Sequence, residues 1–295
     1  MPYLHDEKSQ FLEETANNIR QSIIQMLIVA GSGHTAGPLG MTDIFTAMYF
    51  HILKHDPKNH LWEDRDRLIL SNGHICPVQY ATLAHAGYFP VEELLTLRKF
   101  GSRLQGHPHR EKLPGIEVSS GPLGSGLGQA IGMAIAFKMD KKKNQVYCIM
   151  GDGEQDCGIV WESIMLAGKL HLDNLTTIID RNNIQIDGMT EDIMPLEPLR
   201  AKYEAFNWHV LEIDGHNMEA IVNAAEEART IYEKPVMIIA HTIPGKGIPE
   251  IEFDYRWHGN PPGKGPADVI PAAEQGKRML DELRTLGGKI KSEHQ

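Results

Sequence analysis

Five short apolar runs, separated by segments with helical spacing, constrain the fold of this chain more than any other feature. The runs lie at residues 67–70, 146–150, 175–179, 209–213 and 236–240. Helical patterns lie at residues 11–30, 41–54, 76–99, 124–140, 158–171, 198–206 and 217–231. Strands that alternate with helices pair in parallel, because each helix returns the chain to the same edge of the sheet. The sequence therefore predicts an α/β fold, with a parallel sheet flanked by helices on both faces.

The charge and the cysteines exclude several classes of protein. With 29 basic and 39 acidic residues the net charge is −10, which argues against nucleic acid or an anionic membrane as the main partner. The three cysteines form no CxxC pair, so a disulfide framework is not expected. We find neither a signal peptide nor a run of 18 apolar residues, so we expect no membrane span and a cytoplasmic location.

Small or polar residues follow four of the five predicted strands. These segments are Ser71–His74, Gly151–Gly153, Asp180–Asn183 and His241–Gly247. In parallel α/β sheets, ligands bind at the carboxyl ends of the strands, where such loops meet. We therefore expect one binding site to be assembled from these four segments.

Two of these segments have the chemistry of a magnesium site. Gly151-Asp152-Gly153 follows one strand, and Asn182-Asn183 comes about 28 residues later, behind the next strand. The glycines allow the backbone to approach a ligand closely, while Asp152 and Asn182 offer hard oxygen atoms. Mg²⁺ usually takes one or two protein oxygens and completes its octahedron with phosphate oxygens and water. The pattern therefore predicts a diphosphate held through a divalent cation.

Six ordered stretches, spread over nearly the whole chain, resemble the transketolase family of thiamine diphosphate enzymes. They are Ser32–Gly40, Leu70–His74, Gly106–Pro108, Ser120–Gly126, Asp180–Gly188 and Trp257–Gly259. The resemblance implies the thiamine diphosphate-binding fold, in its diphosphate-type domain. It also implies thiamine diphosphate and Mg²⁺ as cofactors, with Ca²⁺ or Mn²⁺ as alternative cations.

The resemblance implies a role for each matching residue. Three histidines would line the substrate channel and act in catalysis: His34, His107 and His258. The cofactor would contact His74, Gly121, Pro122, Leu123, Gly151, Asp152, Gly153, Asn182, Ile184 and His258. The metal would be bound by Asp152, the Asn182 side chain and the Ile184 carbonyl. Histidine suits ketol transfer, in which protons move on and off oxygen atoms near neutral pH.

The resemblance covers only the first of the three domains of a complete transketolase. We expect residues 1–268 to form the thiamine diphosphate- and metal-binding domain and residues 269–295 to form a C-terminal helical tail. The missing pyrimidine-binding and C-terminal domains would come from a partner subunit, in an expected α2β2 assembly. Such a complex would move a two-carbon ketol unit from a ketose or ketose phosphate to an aldose acceptor, and this chain alone would be inactive.

One residue departs from the family pattern, and two other functions remain open. Cys157 stands where relatives carry a glutamate that couples neighbouring active sites, although Glu162 is retained and Asp156 offers a substitute. The chain could instead belong to another thiamine diphosphate enzyme, such as a deoxyxylulose phosphate synthase or the α subunit of a 2-oxo acid dehydrogenase. It could also be a regulatory subunit with reduced catalysis.

Overall fold

The computed structural model describes residues 4–266 and 270–285, and its centre is a parallel sheet. The strands are β1 (Arg67–Leu70), β2 (Val146–Gly151), β3 (Leu175–Arg181), β4 (Ile184–Gln185), β5 (Gly188–Met189), β6 (His209–Asp214) and β7 (Val236–His241). Five of them form one all-parallel sheet in the order β1-β2-β3-β7-β6, while β4 and β5 form a small antiparallel hairpin. The predicted fold class is confirmed.

Helices cover both faces of this sheet. They are α1 (Asp6–Ala30), α2 (Ala36–Gly40), α3 (Thr42–Ala47), α4 (Cys76–His85), α5 (Ser125–Met139), α6 (Gly158–Lys169), α7 (Thr190–Ile193), α8 (Leu199–Ala205), α9 (Met218–Ala228) and α10 (Ala272–Thr285). Residues alternate between the two faces along a strand. On β2, Tyr147 and Ile149 join a core with α1, α3, α4 and α9, whereas Cys148 and Met150 join a second core with α5, α6 and α8.

Two of the predicted helices are shorter than their apolar spacing suggests. The prediction for 41–54 gives way to α3 followed by a π-helical turn at Met48–Ile52. The prediction for 76–99 ends at the close of α4, and a 3₁₀ turn follows at Val91–Thr96. Gly87 takes a left-handed φ of 89° and Pro90 immediately precedes that turn, so the helix does not continue between α4 and the turn.

The last described helix, α10, packs against α1. Met279 and Leu283 are fully buried in the same core as α1, and Gly276 lies so close to Ile28 that a β-carbon would meet its side chain. The predicted boundary between 268 and 269 lies outside the described residues, as do residues 286–295 of the predicted tail. Within the described residues, no helix is both long enough and apolar enough to cross a membrane.

Candidate active site

The carboxyl ends of β1, β2 and β3 open into one cavity of about 460 Å³. All the residues predicted for the site line this cavity except Pro122. They come from segments that are far apart in the sequence, because parallel strands bring their following loops to the same edge of the sheet. The convergence of these residues agrees with the predicted site, although it leaves the role of each residue a prediction.

Three of the predicted histidines form a compact group. The ring centroids of His34 and His74 lie 4.7 Å apart, and His258 lies 5.5 Å from His34 and 5.3 Å from His74. His107 lines the same cavity beside Gly73, where a β-carbon would lie 3.3 Å from the His107 ring. Gly73 therefore allows the loop after β1 to approach the His107 loop closely.

Burial keeps these imidazoles neutral. It lowers the pKa of His34 to about 3, with further contributions from His258, the Arg98 guanidinium and His107. Burial alone lowers the pKa of His258 to about 4. The pKa of His74 is also well below its usual value, chiefly because of burial. Near neutral pH each ring therefore carries one N–H donor and one acceptor nitrogen.

Polar atoms around the cavity are left available for a ligand. Within residues 4–266 and 270–285, four buried atoms in or beside it have no hydrogen-bond partner: His34 Nδ1, Asn72 Oδ1, Ser120 Oγ and His258 Nδ1. Buried polar atoms in proteins are nearly always paired. Their grouping at one cavity indicates that it is shaped to receive a polar ligand.

The predicted metal ligands meet on one wall of the cavity. Asp152 Oδ1 accepts a hydrogen bond from the Gly153 amide at 2.7 Å, and Asn182 Oδ1 accepts one from the Ile184 amide at 3.0 Å. Each oxygen therefore retains one lone pair. Across the described part of the chain, no cluster of three His, Cys, Asp or Glu side chains could hold a metal ion. The residues fit a hard cation whose remaining ligands include a carbonyl and the oxygens of a diphosphate.

Two buried residues that the sequence pattern did not single out hold these ligands in place. Asp180 accepts a hydrogen bond from Asn182 Nδ2 at 2.8 Å, which fixes the orientation of the amide. Burial raises the pKa of Asp180 to about 7, although hydrogen bonds from Thr242 and Asn182 oppose the change. Arg181 Nη1 donates to Asp152 Oδ2 at 3.1 Å, and the Asn183 amide donates to the same oxygen at 2.7 Å. Both residues lie in the Asp180–Gly188 stretch that resembles the family, but the sequence pattern assigned neither of them a role.

Glu154 was also missed, although it lies directly after Gly151-Asp152-Gly153. Its carboxylate is buried in the cavity wall and accepts hydrogen bonds from Ser71 Oγ and from the amides of Gly124 and Gly151. Burial raises its pKa, and the three hydrogen bonds partly offset that effect. From the sequence alone, a glutamate directly after Gly153 would be predicted to lie on the surface, because its burial is not visible there.

The residues discussed for coupling between sites lie away from the cavity lining. Cys157 is partly exposed at the start of α6, and burial together with the charges of Glu154 and Asp156 raises the pKa of its thiol. Asp156 is exposed and accepts a hydrogen bond from Gln185 Nε2 at 3.0 Å, while Glu162 is exposed on α6. A coupling role for Asp156 or Glu162 stays a prediction.

Comparisons with known proteins point to one family. Residues 12–273 match the family described as transketolase, thiamine diphosphate binding domain. The chain is 47% identical over 236 residues to a 6-deoxy-6-sulfo-D-fructose transketolase subunit of Clostridium sp. (strain MSTE9), covering 80% of this chain and 86% of that protein. It is 38% identical to one subunit of the apulose-4-phosphate transketolase of Phocaeicola vulgatus, covering 96% of this chain and 97% of that one. The structure of Campylobacter jejuni transketolase superposes with a TM-score of 0.81 at 35% identity, covering 95% of this chain but 47% of that one.

Proposed function

The chain belongs to the transketolase family, and we propose that it is the Mg²⁺- and thiamine diphosphate-binding subunit of a split transketolase. The assembled enzyme would move a two-carbon ketol unit from a ketose or ketose phosphate to an aldose acceptor. One observation carries this proposal: histidines from four segments, three of them held neutral by burial, line the same cavity as Asp152 and Asn182.

Different residues of the cavity would bind the cofactor and contact the sugar. When bound, thiamine diphosphate would supply the carbanion chemistry. Asp152, Asn182 and the Ile184 carbonyl would hold Mg²⁺, with Ca²⁺ or Mn²⁺ as alternatives, and His74, Gly153 and the Gly121–Leu123 loop would contact the cofactor.

The remaining histidines would act on the sugar. His34, His107 and His258 would hydrogen-bond the hydroxyls and the carbonyl oxygen of the ketose. Since His34 Nδ1 and His258 Nδ1 have no partner in the described chain, these nitrogens are available to hydrogen-bond the substrate.

The proposal includes a partner subunit with the pyrimidine-binding and C-terminal domains, in an α2β2 assembly. The relative of which this chain covers 97% is named as a subunit, whereas this chain spans only 47% of the solved transketolase. Helix α6 and the residue that follows it also expose four large apolar side chains: Ile159, Met165, Leu166 and Leu170. Their part in stabilising the isolated chain is small, and a partner would remove them from water.

The free thiols of Cys76, Cys148 and Cys157 support a reducing, cytoplasmic location.

A reconstitution assay tests this function. The purified chain and its candidate partner are mixed with thiamine diphosphate, Mg²⁺ and a panel of ketoses, including 6-deoxy-6-sulfo-D-fructose and apulose 4-phosphate, which give two relatives their names. We expect two-carbon transfer to an aldose from at least one donor, lost on chelation and restored by Mg²⁺. Transfer from none of the ketoses would contradict the proposal, and decarboxylation of pyruvate in its place would favour another thiamine diphosphate enzyme.

A further inference from the structure

Glu154 connects three loops that line the cavity. Its Oε1 atom accepts hydrogen bonds from Ser71 Oγ, which follows β1, and from the Gly124 amide, which precedes α5. Its Oε2 atom accepts one from the Gly151 amide at 3.1 Å, at the end of β2. The carboxylate is 2% exposed, so water does not compete for these bonds.

The same carboxylate completes the first turn of α5. The first amides of a helix have no partner within the helix. Here the Gly124 amide donates to Glu154, and the Gly126 amide donates at 3.1 Å to Ser71 Oγ, which in turn donates to Glu154. A negative charge at this end of the helix is also favoured by the helix dipole. Glu154 therefore acts as the cap of α5 although it lies 30 residues away from Gly124 in the sequence.

These contacts anchor the segment that precedes α5. The Gly121–Leu123 loop, predicted to contact the cofactor, is only three residues long between Ser120 and Gly124. The Ser120 amide donates to the Pro108 carbonyl at 3.2 Å, which fixes one end, and Glu154 fixes the other end through Gly124. Gly124 has a left-handed φ of 84°, and a β-carbon there would lie 2.6 Å from Ile159, so the end of the loop at residue 124 packs closely against α6.

We propose that Glu154 is a positioning residue that sets the spacing between the Asp152 metal site and the cofactor-contacting loop Gly121–Leu123. It bonds to the backbone directly before Asp152 and directly after Leu123, and it has no need to touch the cofactor itself. The inference rests on the proposed function, because it assigns the loop to cofactor binding.

Asp66 provides a matched control at the opposite end of the same strands. Its carboxylate is 7% exposed and accepts hydrogen bonds from the amides of Lys54 at 2.9 Å and Gln145 at 3.0 Å. Asp66 and Gln145 directly precede β1 and β2, so Asp66 joins the amino ends of the strands as Glu154 joins their carboxyl ends. Asp66→Asn should therefore lower stability without altering the cavity.

Two measurements on the full-length chain, with and without the partner, test the proposal. In Glu154→Gln, an amide N–H replaces one acceptor oxygen and faces a donor. We expect faster hydrogen exchange in peptides covering 120–127 and thiamine diphosphate affinity weaker by about tenfold or more in the presence of Mg²⁺. Asp66→Asn should match wild type in the hydrogen exchange of peptides covering 120–127 and in thiamine diphosphate affinity. Ser71→Ala removes the Ser71 hydroxyl that joins Glu154 to the Gly126 amide but keeps the bonds of Glu154 to the Gly124 and Gly151 amides. It should give a smaller change and replaces Glu154→Gln if that variant does not fold.

The exchange and affinity measurements distinguish a failure of this proposal from a failure of the proposed function. Exchange and affinity unchanged in Glu154→Gln, or equally changed in Asp66→Asn, would overturn the positioning role. If the wild-type complex binds no thiamine diphosphate, the proposed function fails, and the cofactor-independent exchange of 120–127 still decides whether Glu154 fixes the loop.

Discussion

His258 lies against His34 and His74, and burial lowers the pKa of its imidazole to about 4. The charged form of a buried imidazole loses hydration that nothing in this cluster replaces, since its neighbours are also imidazoles. At the scale of single residues, the cavity therefore combines a histidine wall of neutral imidazoles, formed by His34, His74 and His258, with an oxygen wall formed by the side chains of Asp152 and Asn182. The two walls lead to different predictions.

The histidine wall predicts a loss of stability in acid. The folded pKa of His258 is about 4 and its unfolded pKa about 6.5, so between these values the unfolded chain binds more protons and stability falls as the pH is lowered. At pH 5 this costs about 2 kcal/mol for one such histidine. His258→Gln should reduce the loss in unfolding free energy between pH 7 and pH 5 by about that amount, measured by denaturant titration. A loss as large as that of wild type would contradict this, and His5→Gln, at an exposed position, should retain it.

The oxygen wall predicts a metal-dependent effect. Asp152→Ala removes the only carboxylate among the predicted metal ligands, so calorimetry should show Mg²⁺-dependent binding of thiamine diphosphate weakened by more than about 100-fold. Asp173→Ala breaks only the surface ion pair with Lys138 and should bind as wild type does. Equal affinity in the two variants would remove Asp152 from the metal site.

At the scale of elements, the apolar runs located all five strands of the main sheet, because buried parallel strands are short and continuously apolar. The residues at which the helices begin and end were harder to predict. Apolar spacing continues through 76–99, yet α4 ends at His85, and only the glycine and proline at positions 87 and 90 mark that point. The spacing also says nothing about how closely helices pack, which depends on contacts between distant residues.

Two glycines in neighbouring helices give opposite predictions. At Gly168 in α6 a β-carbon would lie 1.9 Å from the Phe206 carbonyl oxygen, so Gly168→Ala should cost about 1–3 kcal/mol. At Gly132 in α5 a β-carbon would meet nothing within 4 Å, so Gly132→Ala should add about 0.5–1 kcal/mol. Denaturant unfolding of the isolated chain measures both, and equal signs would show that the helix packing is misassigned.

The exposed face of α6 predicts a partner contact. Met165 is 56% exposed, so Met165→Glu should leave the melting temperature of the isolated chain nearly unchanged. Association with the partner chain should weaken by about tenfold or more, as measured by sedimentation. Leu61→Glu, at a 76% exposed position outside the helices, serves as the control and should associate as wild type does. Normal association of Met165→Glu would place the interface elsewhere.

At the scale of the whole molecule, the sequence was sufficient to predict that the loops after β1, β2 and β3 would meet, whereas the fourth expected segment, His241–Gly247 after β7, does not line the cavity. Motifs such as Gly151-Asp152-Gly153 and Asn182-Asn183 follow strands, and a parallel sheet brings strand ends together. It was not sufficient to identify Asp180, Arg181 and Glu154, because a charged residue becomes informative only when its burial and its partners are known. Those residues connect the loops through hydrogen bonds, which are a property of the assembled fold.

The central claim is that this fold supplies one half of an active site. Its most direct test is ketol transfer measured while the partner chain is titrated into a fixed amount of this chain, with thiamine diphosphate and Mg²⁺ in excess. We predict no transfer from either chain by itself, and activity that rises to a plateau when the two are equimolar. Full activity from one chain without the other, or no activity at any ratio, would contradict the claim.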